Sequence, residues 1–422
     1  VPEPASQQSR AAPRRLLLFA FVDELGPFLA IYTLLFADHG ITTAQTSWVF
    51  ALWALLGVVF EVPSGALSDR VDRRRLLAGA ILLRALGISV WLVWPTFAGV
   101  VVGAALWAVH TATASGTYEA LVYEQLLSTG EVDRYPVLMA RLGQANHLGT
   151  ALGALMATGM VSGLSWTLPT LGWSTVVLHL PALWAVLSLP ASGDVEVDDG
   201  VDGDGGEDGD DEELNGWGGW WRTLRAGVGA VRGRPGLRRW VLLCAVLEGI
   251  FVVDEYVPLL ARQRGVDDGL VPLFVMCVWG GLLIGGELAA RRPQLSAVAL
   301  AALMALALAT MGAGLSVEHS WALVLLGVAY GAMNTTWILS EARLQAAAPS
   351  TARATTRSVV SLFSALLSMV LFVVVQQLNI DDDPTPGLLF VVVGLAMVGL
   401  GVLRTSTPQG DVDAIDADPD DA

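Results

Sequence analysis

Apolar segments of about 20 residues recur along the whole chain, and this repetition limits what it can fold into more than any single motif does. At 1.5 Å per residue, a helix of that length crosses about 30 Å of hydrocarbon. Twelve such segments are read, at 15–36, 45–67, 76–94, 97–122, 137–160, 171–190, 238–261, 269–290, 294–314, 320–341, 356–378 and 386–403. Composition agrees, with 54% of residues hydrophobic and only 15% charged, where soluble domains run near about a quarter charged. The expected fold class is an all-α polytopic membrane protein of twelve transmembrane helices.

The acidic balance, net −16, is concentrated in two acidic runs, the Asp- and Gly-rich 194–213 and the Asp-rich 411–421. These hold too little apolar surface to fold and are expected to be disordered. The organisation read from this is a polar tail (1–14), a six-helix half (15–190), an acidic linker (191–237), a second six-helix half (238–404) and an acidic tail (405–422). Within the linker, Trp217, Trp220, Trp221, Arg222, Leu224, Arg225 and Val228 form an amphipathic segment suited to a membrane surface. Arginines crowd the N-terminus, the loops after even-numbered spans and the linker, while only Arg262 and Arg264 fall on the other side. Positive flanks stay inside, so both termini are expected in the cytoplasm of a cell-membrane protein, with no cleavable signal peptide.

Several functions are disfavoured at this stage. All 24 basic residues are Arg, so neither a GxxxxGK phosphate loop nor a Schiff-base lysine is available. Cys244 and Cys277 lie in apolar spans without ligand spacing, and HExxH, GxSxG and EF-hand patterns are missing from the sequence. No enzyme, metal site, cofactor or nucleic-acid partner is expected.

The two halves carry fragments of a repeat. Asp23-Glu24-x-x-Pro27-x-Leu29-Ala30 in the first span returns as Asp254-Glu255-x-x-Pro258-x-Leu260-Ala261 in the seventh, and Glu61 is matched by Glu287. A weaker echo joins the surroundings of Glu124 and Glu341. Parallel repeats of this kind are a transporter architecture.

Between the second and third spans, Gly65, Leu67, Asp69, Arg70, Arg73, Arg74 and Leu77 stand in a fixed register. This loop resembles the signature of the major facilitator superfamily, G-x-L-x-D-R-x-G-R-[KR]-x-x-L, departing from it at Asp72, where the family usually has Gly. Residues 349–358, with Arg353, Ala354, Thr355 and Ser358, resemble the stretch that often opens the family's eleventh span. The resemblance implies two rocking halves with a cytoplasmic gate at Gly65, Asp69, Arg70, Arg73 and Arg74. It also implies a cavity lined by spans one, four, seven and ten, which selects Asp23, Glu24, Tyr118, Glu119, Glu248, Asn334 and Trp337 here. The fifth span lacks the Gly-Pro pair of many of the family's drug antiporters, although Gly143, Gly149, Gly153 and Gly159 are spaced for close helix contact.

An ionisable group at mid-bilayer costs on the order of 3 kcal/mol, so each one retained is a candidate for function. Asp23 and Glu24 are adjacent carboxylates about 12 Å along the first span, with Pro27 expected to kink the helix beyond them. Arg84, Glu119, Asn146 and His147 are expected at one level, with Glu119 as the arginine's partner. His110 is a proton relay or, more ordinarily, an interhelical hydrogen bond. Glu248 matches Asp23 in depth. Asp254 and Glu255 match it by repeat, or are solvated mouth residues beside Arg262 and Arg264. Asn334 to Trp337 offer a polar and aromatic patch.

The expected function is secondary active transport of a small organic solute by alternating access, most simply proton-coupled efflux by a monomer in the lipid bilayer. The alternatives are a nutrient or anion symporter or uniporter with Arg84 as the clamp, and a non-transporting sensor or scaffold.

Overall fold

The computed structural model describes residues 5–68, 71–190, 225, 228–229, 231–348 and 353–404. In chain order the helices are α1 (Ala5–Asp23), α2 (Tyr32–Asp38), α3 (Thr43–Ser68), α4 (Arg73–Val93), α5 (Phe97–Leu127), α6 (Tyr135–Thr158) and α7 (Leu168–Leu187). After the linker come α8 (Pro235–Ile250), α9 (Val257–Gln263), α10 (Val271–Arg291), α11 (Ala297–Ser316), α12 (Val324–Ala347), α13 (Arg353–Gln377) and α14 (Thr385–Arg404). No strand occurs among the described residues beyond one isolated bridge between Ile380 and Asp383.

These elements make twelve segments, because the first span is α1 and α2 joined through a 3-10 turn at Pro27–Ala30. The seventh is likewise α8 and α9 joined through Phe251–Tyr256. Among the described residues, eight helical segments are long and apolar enough to cross a membrane unaided. The others fall short for readable reasons. Spans one and seven are broken, and α6 carries Arg141, Gln144, Asn146 and His147. The last span's apolar stretch is only Thr385–Gly401.

Short polar side chains set the helix starts. Asp72, Thr96, Thr167 and Ser296 each accept a backbone N–H in the first turn of the helix that follows. Asp72 caps α4 through the amides of Arg74 and Arg75, which gives the departure from the signature loop a structural role. Its carboxylate also takes the Arg74 guanidinium at 2.6 Å, and that side-chain bond, with the two amides, holds Asp72 below the usual aspartate range against the opposing effect of partial burial.

The chain forms two compact units, Val1–Gly40 with Leu56–Trp220, and Ile41–Leu55 with Trp221–Ala422. In the first, α4 packs on α5 and α7, and α1 on α6; in the second, α11 packs on α12 and α14, and α8 on α13. Counted as spans, each of these three pairings in the first unit returns in the second six spans later. The sequence repeat is therefore a repeat of packing.

Small residues allow the closest of these contacts, as expected where lipid leaves apolar burial little driving force between helices. A Cβ on Gly281 of α10 would lie 1.9 Å from the Gly327 carbonyl oxygen of α12, and one on Gly285 would lie 2.2 Å from that of Gly331. In the first unit a Cβ on Gly149 would meet the Phe21 oxygen at 2.1 Å, and Gly153 packs on Leu25 and Gly26. Gly143 and Gly159, expected to share this role, face open space. Of the linker's amphipathic segment, Arg225 and Val228 are helical; Trp217, Trp220, Trp221, Arg222 and Leu224 lie outside the described residues, as do Asp69, Arg70 and both acidic runs.

Candidate functional site

The break in the first span follows from one covalent fact. In an unbroken helix the Asp23 carbonyl would accept the N–H of residue 27, and Pro27 has none. Arg84 of α4 supplies the missing donor, with one guanidinium nitrogen 3.2 Å from the Asp23 carbonyl oxygen, 3.0 Å from Asp23 Oδ2 and 3.0 Å from Glu24 Oε1. The Phe28 N–H, freed by the same break, donates to Thr175 Oγ1 of α7 at 3.1 Å. The close approach at Gly149 and Gly153 seats the broken segment against α6.

Arg84 is 3% exposed, and its guanidinium also lies over the Trp107 ring, 5.0 Å from the centroid. Trp107 belongs to an aromatic group in which Tyr32 stacks on Trp91 and Trp91 packs on Trp107, each pair at 5.3 Å. The expected partner of Arg84 was Glu119, and this is corrected: Asp23 and Glu24 hold the arginine, while Glu119 and His147 are exposed and Asn146 is half-buried. Depth along the helix placed these groups at one level but carried no information on which face of each helix they occupy. Tyr118 packs its ring on Phe19 at 5.3 Å, with its hydroxyl buried and unbonded. His110 joins α5 to α4 by an Nδ1 bond to the Ala80 carbonyl at 2.9 Å.

In the second unit the repeated motif again sits at a break. Asp254 and Glu255 lie in the 3-10 segment before Pro258, where the Tyr330 hydroxyl donates to the Phe251 carbonyl at 2.6 Å. Arg262 is engaged by Asp268 at 2.5 Å, and Arg264 donates to the carbonyls of Gly314 and Leu315. The second unit's arginine held by two carboxylates lies elsewhere. Glu248, in the last turn of α8, accepts from the Trp337 indole at 3.0 Å and from Arg357 of α13 at 2.5 Å, with Glu341 of α12 at 3.6 Å from the same guanidinium. Asn334 and Thr335 bond the Leu282 and Gly285 carbonyls of α10, and Thr336 bonds its own helix at Ala332. That polar patch is thus spent on helix contacts.

Each unit therefore holds one arginine between two carboxylates, a trio of net charge −1 when all three groups are ionised. At the end of α5, Glu124 pairs with Arg73 of the signature loop, and in the repeat Glu341 pairs with Arg357, so the weak sequence echo marks two arginine-bearing glutamates. Arg74 meanwhile reaches the Leu189 carbonyl at 2.8 Å.

Sequence reasoning missed Trp107, Thr175, His179 and Arg357, and found Glu341 only as half of a weak repeat echo. For His179, 5% exposed within α7, the available signal was the same cost of burying an ionisable group that singled out the others. Arg357 falls at the edge of the eleventh apolar run, and the helix that carries it, α13, begins a full turn earlier, at Arg353.

The sequence profile of the Major Facilitator Superfamily matches residues 16–373. Two uncharacterized MFS-type transporters of Mycobacterium tuberculosis, from strains CDC 1551 and H37Rv, are each 33% identical over 142 residues, 33% of this chain. The match spans about a third, 32%, of the length of these curated relatives. Among solved structures, the nucleoside transporter NupG superposes with a TM-score of 0.66 at 12% identity, covering 95% of this chain and 99% of that one. A peptide transporter POT bound to sulfate gives 0.65 at 13%, covering 96% and 98%. A D-xylose-proton symporter gives 0.62 at 15%, covering 94% and 95%.

Proposed function

The chain belongs to the Major Facilitator Superfamily, and from that premise we propose that it is a proton-coupled exchanger that expels a small organic solute across the cell membrane. It works as a monomer with both termini in the cytoplasm, by alternating access. The observation that carries this reading is the Arg84 cluster. Two carboxylates share one buried guanidinium, and the cluster's net charge of −1 is relieved by one proton or by one positive group on a solute. Two occupants that relieve the same charge exclude each other, which is the requirement for exchange.

The cluster also sits at the hinge, since Arg84 replaces the helix bond that Pro27 removes. A proton taken up at the cluster weakens the hold of Asp23 on Arg84 and so loosens the joint between the first and third spans. Use of Arg84 as an anion clamp, the alternative for an uptake carrier, is less well supported because two carboxylates of the protein already occupy it. The test is transport by Asp23→Asn and Glu24→Gln variants in proteoliposomes. Solute-driven proton movement is expected to vanish in both; movement with an unchanged pH profile in the double variant would remove the proposal.

A further inference from the structure

Four buried polar atoms of the first unit lack a hydrogen-bond partner around one place: Asp23 Oδ1, Arg84 Nε, Tyr118 Oη and His179 Nε2. Leaving such an atom unpaired costs about 1–3 kcal/mol, so four near one ion cluster call for a reason. His179 has the most informative geometry. Its Nδ1 lies 2.8 Å from the Thr175 carbonyl oxygen, which can only accept, so Nδ1 carries the hydrogen and Nε2 of the neutral ring is a bare lone pair. Charged and titratable groups act on this ring from each neighbouring element: Asp23 and Glu24 from the first span, Arg84 from α4 and His110 from α5. From α2, which also packs on α7, Tyr32 turns onto Trp91.

We propose that His179 takes the coupled proton in the first unit, with Nε2 as the accepting atom and the Asp23 and Glu24 carboxylates as the charges that favour it against the nearby Arg84 guanidinium. The inference rests on the proton-exchange reading above and names the atom at which the proton resides. One proton on Nε2 turns the lone pair into an N–H donor, makes the ring a cation and brings the four-group cluster from −1 to zero. It does this without a proton on either carboxylate, both of which are engaged by Arg84. The link to motion is short. Thr175, whose carbonyl holds His179, presents its hydroxyl to the Phe28 N–H, so the imidazole and the broken backbone share one residue of α7. An imidazolium drawn toward Asp23 competes with Arg84 for that carboxylate at the hinge.

The experiment is a pH titration of the protein labelled with 15N-histidine in nanodiscs, without solute. There are five histidines, and the His179 signals are assigned by their loss in His179→Asn, which keeps a donor for the Thr175 carbonyl. The expected result is an Nδ1–H ring at high pH that gains a proton at Nε2 on acidification. In Asp23→Asn, the midpoint should move by on the order of one pH unit. A His179 ring that stays neutral from pH 5 to 8, or a midpoint indifferent to Asp23→Asn, overturns the inference. If His179→Asn fails to fold, the Asp23→Asn comparison in the otherwise native protein decides alone. Liposome transport separates the two claims: solute-linked proton movement with a silent His179 defeats only this inference, while a responsive His179 without such movement defeats only the exchange reading.

Discussion

Replacing Arg84 with leucine removes one side chain and leaves three groups unsatisfied. Asp23 and Glu24, whose side chains are 13% and 26% exposed, lose a cation at 3.0 Å each, and the Asp23 carbonyl loses the donor that stands in for Pro27. Breaking a buried pair by removing one partner costs about 3–5 kcal/mol. The orphaned carbonyl and the lost contact with the Trp107 ring each represent about 1–3 kcal/mol. The contributions share one side chain and do not add, so we expect a net loss of about 4 kcal/mol, on the order of a thousandfold in the folded-to-unfolded ratio. The assay is reversible SDS-driven unfolding in mixed micelles. The triple variant Arg84→Leu, Asp23→Asn, Glu24→Gln removes the uncompensated charges and is expected to recover about 2 kcal/mol or more, the orphaned carbonyl accounting for what remains lost. The reasoning is refuted if Arg84→Leu lies within about 1 kcal/mol of the native protein, or if the triple variant is no more stable than the single one.

Other expectations follow from particular contacts. Gly281→Ala, which drives a Cβ to 1.9 Å from a backbone oxygen, should destabilise by about 1–3 kcal/mol or more in the same assay, whereas Gly280→Ala, facing open space, should be near neutral. Asp72 is held below its ordinary value of 3.8, so its contribution is present above that pH and is lost as the pH falls through the lowered value. Asp72→Ala should accordingly cost about 1 kcal/mol at pH 7 in the same unfolding assay, and the cost should shrink in acid. Glu248→Gln weakens the hold on Arg357 and changes the partner of the Trp337 indole; a shift in tryptophan emission and slower solute exchange in liposomes are the expected readouts.

Much of the architecture was legible because its causes are local. Twelve apolar runs and the Asp-Glu-x-x-Pro repeat could be read directly, and the repeat proved to mark a break in both the first and seventh spans, sharper than the kink expected from Pro27. Which groups meet was less legible. The distance along a helix axis comes from counting residues, but the face a side chain occupies depends on how twelve helices turn against one another. Arg84 was therefore placed at the right level for a carboxylate and assigned the wrong one. The carbonyl freed by Pro27 was the clue that was overlooked: a buried acceptor next to two carboxylates calls for a multidentate donor, and Arg84 is the buried arginine of the neighbouring helix. His179 and Thr175 were hidden in a span whose hydropathy is otherwise unremarkable.

The most direct test of the exchange reading is a proteoliposome assay with a trapped pH dye, in which pooled organic cations and neutral metabolites are presented on one known side. The account predicts that a transported solute moves protons in the opposite direction, and that the proton signal disappears in the Asp23→Asn, Glu24→Gln double variant while the protein still folds. Solute movement with no proton signal, or a signal that survives the double variant, would contradict it.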